Sequence, residues 1–372
     1  MGVFHRLLAL ALVVGCVGCQ SAASTQRESA TGSATPRVGQ APVFAVFVKD
    51  FYVGASGYQV QLVDAAGRIV ASATARNRSF KKTGLVDLAV TSITSTKAYY
   101  LDGDSEIRYL TATGKTGTAY RITLTGDQLA SFSVTPDDRR IAVTVIDYAS
   151  QPPRMRLFTD DLAGGHQVEL FSSSTVYEWP VGWHQGQLVL AVSRLPFVQN
   201  AGDWYMASQG FHIVDAATAN RLLTICDDSG ADTPFPTSAW GGICQIYPRV
   251  EDLVSWEGVK REILVGDKCH AVGPPSPDGS NVAVRGQNRV CAGATNDPIR
   301  LIDSGGRVTT SAAVGNPLGW LDNSHLIFQE DLLPFSPPSA IAPIRILNIT
   351  DSKVVVVNAS GFFAGDLPGG LG

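Results

Sequence analysis

Short runs of alternating apolar and polar residues recur along this chain, each following a tight polar turn. The clearest copy is residues 276–284, which read Ser-Pro-Asp-Gly-Ser-Asn-Val-Ala-Val. Residues 135–143 repeat it closely, and residues 183–190 and 320–328 keep the same order of turn and then apolar run. Alternation with a period of two predicts β-strands, and a turn before each strand predicts hairpins.

The spacing of these copies predicts a repeated four-stranded unit. Matching apolar positions lie 47 residues apart from Ile141 to Leu188, and 44 residues apart from Val282 to Leu326. Repeats of about 40–45 residues are typical of units that each form one four-stranded sheet. The interval between Leu188 and Val282 is long enough for two such units, of which the second, at residues 242–265, is degenerate. We expect its runs at 242–247, 252–256 and 260–265 to be the first three strands, with little room for a fourth.

The Ser276-Pro277-Asp278-Gly279 turn followed by a short apolar strand resembles the repeats of the TolB-like and WD-repeat-like β-propeller families. The resemblance implies an all-β chain forming a single β-propeller. We expect seven four-stranded blades, or six if the degenerate unit is absorbed by its neighbours. Within the turn, Pro277 sets φ at the first central position and Asp278-Gly279 suits a sharp reversal.

The first unit is one strand short. Runs at 43–49, 58–64 and 68–74 predict three strands, whereas the other units have four. The segment Gly361-Phe362-Phe363-Ala364-Gly365 follows the last complete unit and can supply the missing innermost strand. We therefore predict that the C-terminal strand joins the N-terminal blade, which would remove two free sheet edges.

The N-terminal segment predicts export. Residues 1–15 carry Arg6 and then a short apolar run, as a signal peptide does. The end of that run resembles the bacterial lipobox, which implies lipidation of Cys16, with Cys19 as the alternative. An ordinary secretory signal stays open.

Residues 16–41 are rich in Ser, Ala and Thr and predict a flexible tether. The propeller domain is then residues 42–372, held outside the cytoplasm on a bacterial membrane by the lipid. We expect no other contact with the membrane.

Four cysteines remain in the expected propeller domain: Cys226, Cys244, Cys269 and Cys291. An even number of cysteines in an exported chain predicts two disulfides. Three pairings are possible, and proximity in sequence favours Cys226 with Cys244 and Cys269 with Cys291.

Charge and motifs narrow the functional classes. The formal net charge is -4, and no basic patch of the kind that binds nucleic acid is present. No metal-site spacing, cofactor motif or nucleophile motif is found. Asp102-Gly103-Asp104-Ser105-Glu106 resembles part of a calcium loop, but a hairpin turn accounts for it. We expect His184 and His325, which lie in repeat turns, to be solvated.

Connection lengths predict two unlike ends of the sheets. One end carries tight turns, and the other carries long connections with aromatic residues. Long loops on a rigid scaffold are frequent recognition sites. Trp183 and Trp320 align with the repeats and are expected in the core. The candidates for the binding face are Phe51, Tyr52, Phe197, Trp204, Tyr205, Phe235, Trp240 and Phe335.

These patterns favour a binding or scaffold module for a protein, peptide or glycan, held on the long-loop face. The alternative is a propeller hydrolase or lyase that acts on a cell-envelope or extracellular polymer. For that alternative, the carboxylates of Asp227, Asp228 and Asp232 are the first candidates. Propeller enzymes can gather acidic side chains from different blades at the mouth of their central channel, and such a site leaves no local sequence motif.

Overall fold

The structure, a computed structural model, describes residues 43–51, 55–79, 88–193, 208–226, 238–246, 250–264, 270–286, 298–330, 342–367 and 369. Residues 41–372 cluster into one compact unit. No helix within the described ranges is long and apolar enough to cross a membrane.

The described residues form β-strands joined by turns, and each strand pairs antiparallel with its neighbours. In chain order they are β1 (Phe44–Lys49), β2 (Gly57–Asp64), β3 (Ile69–Arg76), β4 (Thr91–Ile93), β5 (Ala98–Asp102), β6 (Glu106–Leu110), β7 (Thr116–Arg121), β8 (Gln128–Val134), β9 (Arg140–Asp147), β10 (Arg154–Asp161), β11 (Val168–Ser173), β12 (Tyr177–His184), β13 (Gln187–Ser193), β14 (Gly210–Val214), β15 (Arg221–Ile225), β16 (Gly241–Ile246), β17 (Val250–Ser255), β18 (Lys260–Leu264), β19 (His270–Pro275), β20 (Asn281–Gly286), β21 (Pro298–Asp303), β22 (Val308–Asp322), β23 (His325–Glu330), β24 (Ile344–Asn348), β25 (Val354–Val356) and β26 (Phe362–Leu367).

These strands form an all-β propeller, but they do not form seven or six equivalent four-stranded blades, so the predicted blade count is wrong. Within the described residues, four sheets have four strands each: sheet 1 (β26-β1-β2-β3), sheet 2 (β4 to β7), sheet 3 (β8 to β11) and sheet 4 (β12 to β15). Sheet 5 (β16 to β18) has three, and sheet 6 (β19 to β25) has seven.

Sheet 6 is long because β22 runs unbroken for 15 residues. Its first part pairs with β21 and its last part with β23. Gly315 lies where the strand passes from one partner to the other, with φ 151°. A Cβ at Gly315 would collide with the carbonyl oxygen of Gln329, so glycine permits the continuous strand.

The predicted closure is confirmed. β26 pairs antiparallel with β1, with Ala45 opposite Asp366 and Phe47 opposite Phe363. The rings of Phe47 and Phe363 pack 5.8 Å apart. The C-terminal strand therefore completes the N-terminal sheet.

The sheets have two ends, which we name by their connections. The turn face carries the turns at 94–97, 135–139, 185–186 and 276–280, and the loop face is the opposite end. At the turn face, Asp138 has φ 60° and Gly279 has φ 67°. The two residues hold the same place in their repeats, and both glycine and aspartate tolerate this left-handed conformation better than most residues.

Sheet 5 is offset by one strand from the prediction. The Trp256 amide donates to the Trp240 carbonyl at 3.2 Å, as the Leu162 amide donates to Arg139 in sheet 3. Leu162 follows the third strand of its sheet and Arg139 precedes the second. β16, β17 and β18 therefore hold the second, third and fourth positions, whereas the sequence pattern put them in the first three. Residues 227–237, which precede them, lie outside the described residues.

The tryptophans that align with the repeats are in the core, as predicted. Trp183 is 1% exposed and Trp320 is 3% exposed. The indole of Trp183 donates to the carbonyl of Ser133 at 3.3 Å, and that of Trp320 donates to Pro274 at 2.8 Å. Each indole therefore fills an apolar interface and also satisfies its N–H.

One predicted disulfide is present. Cys226, which directly follows β15, is bonded to Cys244 in β16, and their Cα atoms are 5.2 Å apart. The bond therefore ties sheet 4 to sheet 5. The other expected pair, Cys269 and Cys291, lies outside the described residues.

Candidate functional site

Most of the residues predicted to matter lie outside the described residues. Among the aromatic candidates, only Phe51 and Trp240 can be placed. The others are Tyr52, Phe197, Trp204, Tyr205, Phe235 and Phe335. The lipidation candidates Cys16 and Cys19 and the acidic residues Asp227, Asp228 and Asp232 are likewise outside.

Trp240 is at the turn face, so its assignment to the binding face is wrong. Its ring lies on the turn of the neighbouring repeat, where a Cβ added to Gly279 would be 2.6 Å from ring atoms. The guanidinium carbon of Arg261 is 5.8 Å from the ring centroid. The error follows from the offset of sheet 5, which places Trp240 directly before β16, the strand in second position.

Phe51 is at the loop face, but it is half-buried. Its ring packs edge-on against Tyr58 at 5.3 Å and against Phe362 at 6.2 Å. Phe362 belongs to the closing strand β26 and Tyr58 to β2. The contacts of Phe51 therefore cover the closed end of sheet 1.

A groove of about 680 Å³ lies between sheets 2 and 3. We name it the inter-sheet groove. Most of its lining residues are of polar types, and the full set is Tyr120, Thr123, Thr125, Gln128, Val145, Asp147, Arg154, Arg156, Phe158, Asp160, Gln167, Glu169 and Ser172. Its volume is in the range of about 300–1,000 Å³ that is usual for ligand sites.

The alternation of β10 builds one wall of the groove. Residues 154–160 read Arg-Met-Arg-Leu-Phe-Thr-Asp. Successive side chains of a strand point to opposite faces. Met155 and Leu157 are buried in the core cluster shared with sheet 4. The other set, with Arg154 and Arg156, faces sheet 2 and lines the groove.

The end of the groove nearer the turn face is held by a tyrosine and a carboxylate. The hydroxyl of Tyr120 on β7 donates to Asp160 on β10 at 2.8 Å. Burial, together with the hydrogen bond and the charge of Asp160, raises the pKa of Tyr120. Asp160 also accepts the backbone amide of His166 at 2.9 Å. This link fixes the ring of Tyr120 between the two sheets.

The end of the groove nearer the loop face is held by an amide. Gln128 accepts the backbone amide of Thr125 at 2.9 Å and donates to Asp147 at 3.2 Å. Asp147 also accepts the backbone amide of Ala149 at 2.9 Å. Both ends of the groove are therefore preorganised by contacts within the chain.

Three charged side chains of the groove have no ion-pair partner among the described residues. Arg154 contacts only the hydroxyl of Ser172, at 3.3 Å. Arg156 lies with its guanidinium carbon 5.2 Å from the centroid of Phe158. Glu169 is exposed and makes no side-chain hydrogen bond within the described part of the chain. The three groups are open to a ligand.

The groove continues to the loop face. An adjoining recess of about 730 Å³ shares Thr123 and Gln128 with it. Its lining adds Ser79, Asp104 and Arg121. Gly103 to Ser105 form the hairpin turn expected at Asp102 to Glu106. Together the two recesses form a channel that begins at the loop face and runs down between sheets 2 and 3.

Several ionisable groups elsewhere are paired. His184 is 7% exposed and lies 2.6 Å from Glu257, so the expectation that it is solvated is wrong. The reason is that sheet 5 covers it. His325 is partly buried and lies 2.9 Å from Asp322. Among the described residues, no group of three His, Cys, Asp or Glu side chains could hold a metal ion.

The inter-sheet groove was not predicted from the sequence. Its walls come from strands of two sheets, and their lateral packing cannot be read from a repeat period. The usable signal was the run Arg154, Arg156 and Asp160 on a strand whose other face is apolar. Charged residues on that face mark a wall that is not closed by the neighbouring sheet.

The antiparallel sheets and the closing strand define a β-propeller. No protein-family model matches the chain, and no curated protein matches it. Among solved structures, the chain is similar to oligogalacturonate lyase from Vibrio parahaemolyticus, with a TM-score of 0.50, 9% identity, and coverage of 83% of this chain and 92% of that chain. This likeness shows the fold alone.

Two further solved structures have lower TM-scores. TolB from Acinetobacter baumannii is 14% identical, with a TM-score of 0.38 and coverage of 88% of this chain and 82% of that one. The β-propeller domain of the Trilobed protease from Pyrococcus furiosus is 10% identical, with a TM-score of 0.40 and coverage of 85% and 86%.

Proposed function

We propose that this protein is a lipid-anchored, extracytoplasmic β-propeller that binds a segment of a polymer in the inter-sheet groove. The observation that carries the proposal is a preformed groove in which Arg154, Arg156 and Glu169 have no ion-pair partner among the described residues. Charged groups that the fold does not use are available to a ligand, whereas paired groups are not.

The shape of the groove favours an extended ligand. The two adjoining recesses share Thr123 and Gln128 and lead from the loop face to Asp160. A chain-like ligand can enter at the loop face and lie between sheets 2 and 3. Neither recess is a closed pocket for a small cofactor, since each is open to solvent along its length.

The location rests on two further features. The Cys226–Cys244 disulfide supports an oxidising compartment. The N-terminal sequence supports lipidation of Cys16, or of Cys19, with residues 16–41 as a tether. In this arrangement the lipid holds the protein at the membrane, and the groove faces soluble or cell-envelope polymers.

A steric block tests the proposed function. Thr123 is exposed and borders both recesses, so Thr123→Trp would fill the groove without entering the core. The matched control is Thr113→Trp, at an exposed turn of the same sheet. Binding of the purified full-length chain to an array of cell-envelope oligosaccharides and to an array of random peptides is compared for the three proteins.

We expect the wild type and the control to bind the same ligands and the blocked variant to lose them. Equal binding by all three proteins, or none by the wild type, would contradict the proposal. The bound polymers are also assayed for chain cleavage. Cleavage that depends on an open groove would assign the protein to the alternative class, a hydrolase or lyase.

A further inference from the structure

The charges in the inter-sheet groove are mixed. Its lining has two guanidinium groups, Arg154 and Arg156, and three carboxylates, Asp147, Asp160 and Glu169. Two of these carboxylates already accept hydrogen bonds from Gln128 and Tyr120. A strongly anionic ligand would meet the carboxylates, and a strongly cationic one would meet the guanidiniums. The lining therefore fits a ligand of low charge.

The lining also has few apolar side chains. Val145 is its one aliphatic residue, and Phe158 is only 3% exposed beneath the guanidinium of Arg156. Peptides bound as extended strands gain specificity from pockets for alternate side chains. The groove lacks such pockets within the described residues, so its chemistry does not favour a peptide.

What the groove does offer is a dense set of polar groups of both kinds. Arg154, Arg156 and Gln167 can donate, and Glu169 and Asp147 can accept. A hydroxyl donates one hydrogen bond and accepts two, so a hydroxyl-rich ligand can use both kinds of partner at once. We infer that the ligand of the inter-sheet groove is an uncharged glycan segment, whose hydroxyls are bound by Arg156 and Glu169.

Arg156 and Glu169 carry this inference because both are exposed and lie on neighbouring strands, β10 and β11. Glu169 on β11 pairs with Phe158 on β10, the residue over which Arg156 lies. The ring of Tyr120, fixed by Asp160, lines the same groove and provides an apolar surface for the carbon face of a sugar. The inference rests on the proposed function, since it names the class of ligand for the same groove.

The direction in which two substitutions change the binding affinity distinguishes the ligand classes. Arg156→Ala removes a donor with a positive charge, and Glu169→Ala removes an acceptor with a negative charge. An uncharged glycan loses a hydrogen bond in either case, so both variants should bind it about tenfold more weakly. An acidic ligand would lose affinity with Arg156→Ala and gain it with Glu169→Ala, and a basic ligand would do the reverse.

The experiment titrates the purified full-length chain by calorimetry with a defined panel. The panel contains neutral oligomers of glucose, mannose, galactose and N-acetylglucosamine, oligomers of uronic acids, and acidic and basic peptides. Arg139→Ala is the matched control, because Arg139 is an exposed arginine of the turn face. Thermal unfolding of each variant checks that the fold is unchanged.

We expect at least one neutral oligomer to bind, both groove variants to weaken it, and Arg139→Ala to leave it unchanged. Opposite effects of the two groove variants, or binding of charged oligomers or peptides alone, would overturn the inference. If Thr123→Trp abolished that binding of charged ligands, the proposed function would stand without the glycan. Failure of every panel member to bind, or binding that Thr123→Trp leaves intact, would overturn both.

Discussion

The turn face and the inter-sheet groove both carry charged side chains, but these are paired at the turn face and several are unpaired in the groove among the described residues. At the turn face, Asp138 of sheet 3 accepts hydrogen bonds from Lys97 at 2.7 Å, Thr94 at 2.7 Å and Thr96 at 2.6 Å, all from sheet 2. In the groove between the same two sheets, Arg156 and Glu169 have no such partners among the described residues. The charged side chains at the turn face therefore join the two sheets, whereas those in the inter-sheet groove are available to a ligand.

The pKa of Asp138 reflects its pairing at the turn face. Burial opposes the charge on Asp138, but the hydrogen bonds from Lys97, Thr96 and Thr94 lower the pKa of Asp138 below its ordinary value. The pair His184 and Glu257 links sheets 4 and 5 at the same face, with 2.6 Å between the ring nitrogen and the carboxylate. The turn face is thus a set of contacts between neighbouring sheets, and it stabilises the fold.

The largest expected effect comes from the disulfide, which joins sheets 4 and 5. Replacing both Cys226 and Cys244 with serine should reduce the free energy of unfolding by about 3 kcal/mol, because the bond closes a loop of sequence separation 18. Urea denaturation of the variant and the wild type under non-reducing conditions measures this loss. An unchanged midpoint would show that the packing and hydrogen bonds between these two sheets suffice without the disulfide.

The next effect breaks the turn face directly. Asp138→Ala should cost about 2–3 kcal/mol of stability, since it leaves Lys97, Thr94 and Thr96 without their shared acceptor. Glu169→Gln, in the groove, should change stability by less than about 0.5 kcal/mol. Thermal and urea unfolding of the two variants compare the regions. Equal losses would remove the distinction between them.

A third carboxyl, Asp366 in the closing strand β26, has the opposite pKa shift to Asp138. Burial and the nearby charge of Asp322 raise the pKa of Asp366 to about 7. At a pH below 3.8, the ordinary pKa of an aspartate, Asp366 is protonated in both the folded and the unfolded chain and has no effect on the pH dependence of stability. As pH rises toward 7, the unfolded chain ionises while the folded chain keeps its proton, so the folded state loses stability.

Asp366→Asn should therefore remove a pH-dependent loss of stability. The variant and the wild type should unfold alike near pH 4, and the variant should become the more stable protein as pH rises to about 7 and above. Urea denaturation across this range gives the difference. A difference that does not grow with pH would mean that Asp366 ionises normally in the folded chain.

The sequence predicted those parts of the fold that depend on local signals. Turns such as residues 276–280 and tryptophans such as Trp183 occur at fixed places in the repeat, so the strands, the core and the closure followed from the period. The blade count failed at β22. There Gly315-Asn316-Pro317 reads as a break in the sequence, yet the backbone of Gly315 lets the strand continue.

The candidate site was much less accessible from the sequence. Trp240 looked like an exposed loop residue because the sequence of residues 227–237, which precede it, carries no recognisable strand pattern. The space that its ring fills exists only because Gly279 of the next repeat has no side chain. The groove depends on the lateral contact of β7 with β10, for which Tyr120 and Asp160 give no sequence signal beyond their polarity.

The pairing of β26 with β1 also sets an order of events during synthesis. Strands β1 to β3 leave the ribosome first, but their sheet lacks its innermost strand until Phe362–Leu367 has been made. Contacts between residues so distant in sequence form late and slow folding. Sheet 1 therefore keeps an unpaired edge on β1 until the segment 362–367 has been synthesised and has paired with it.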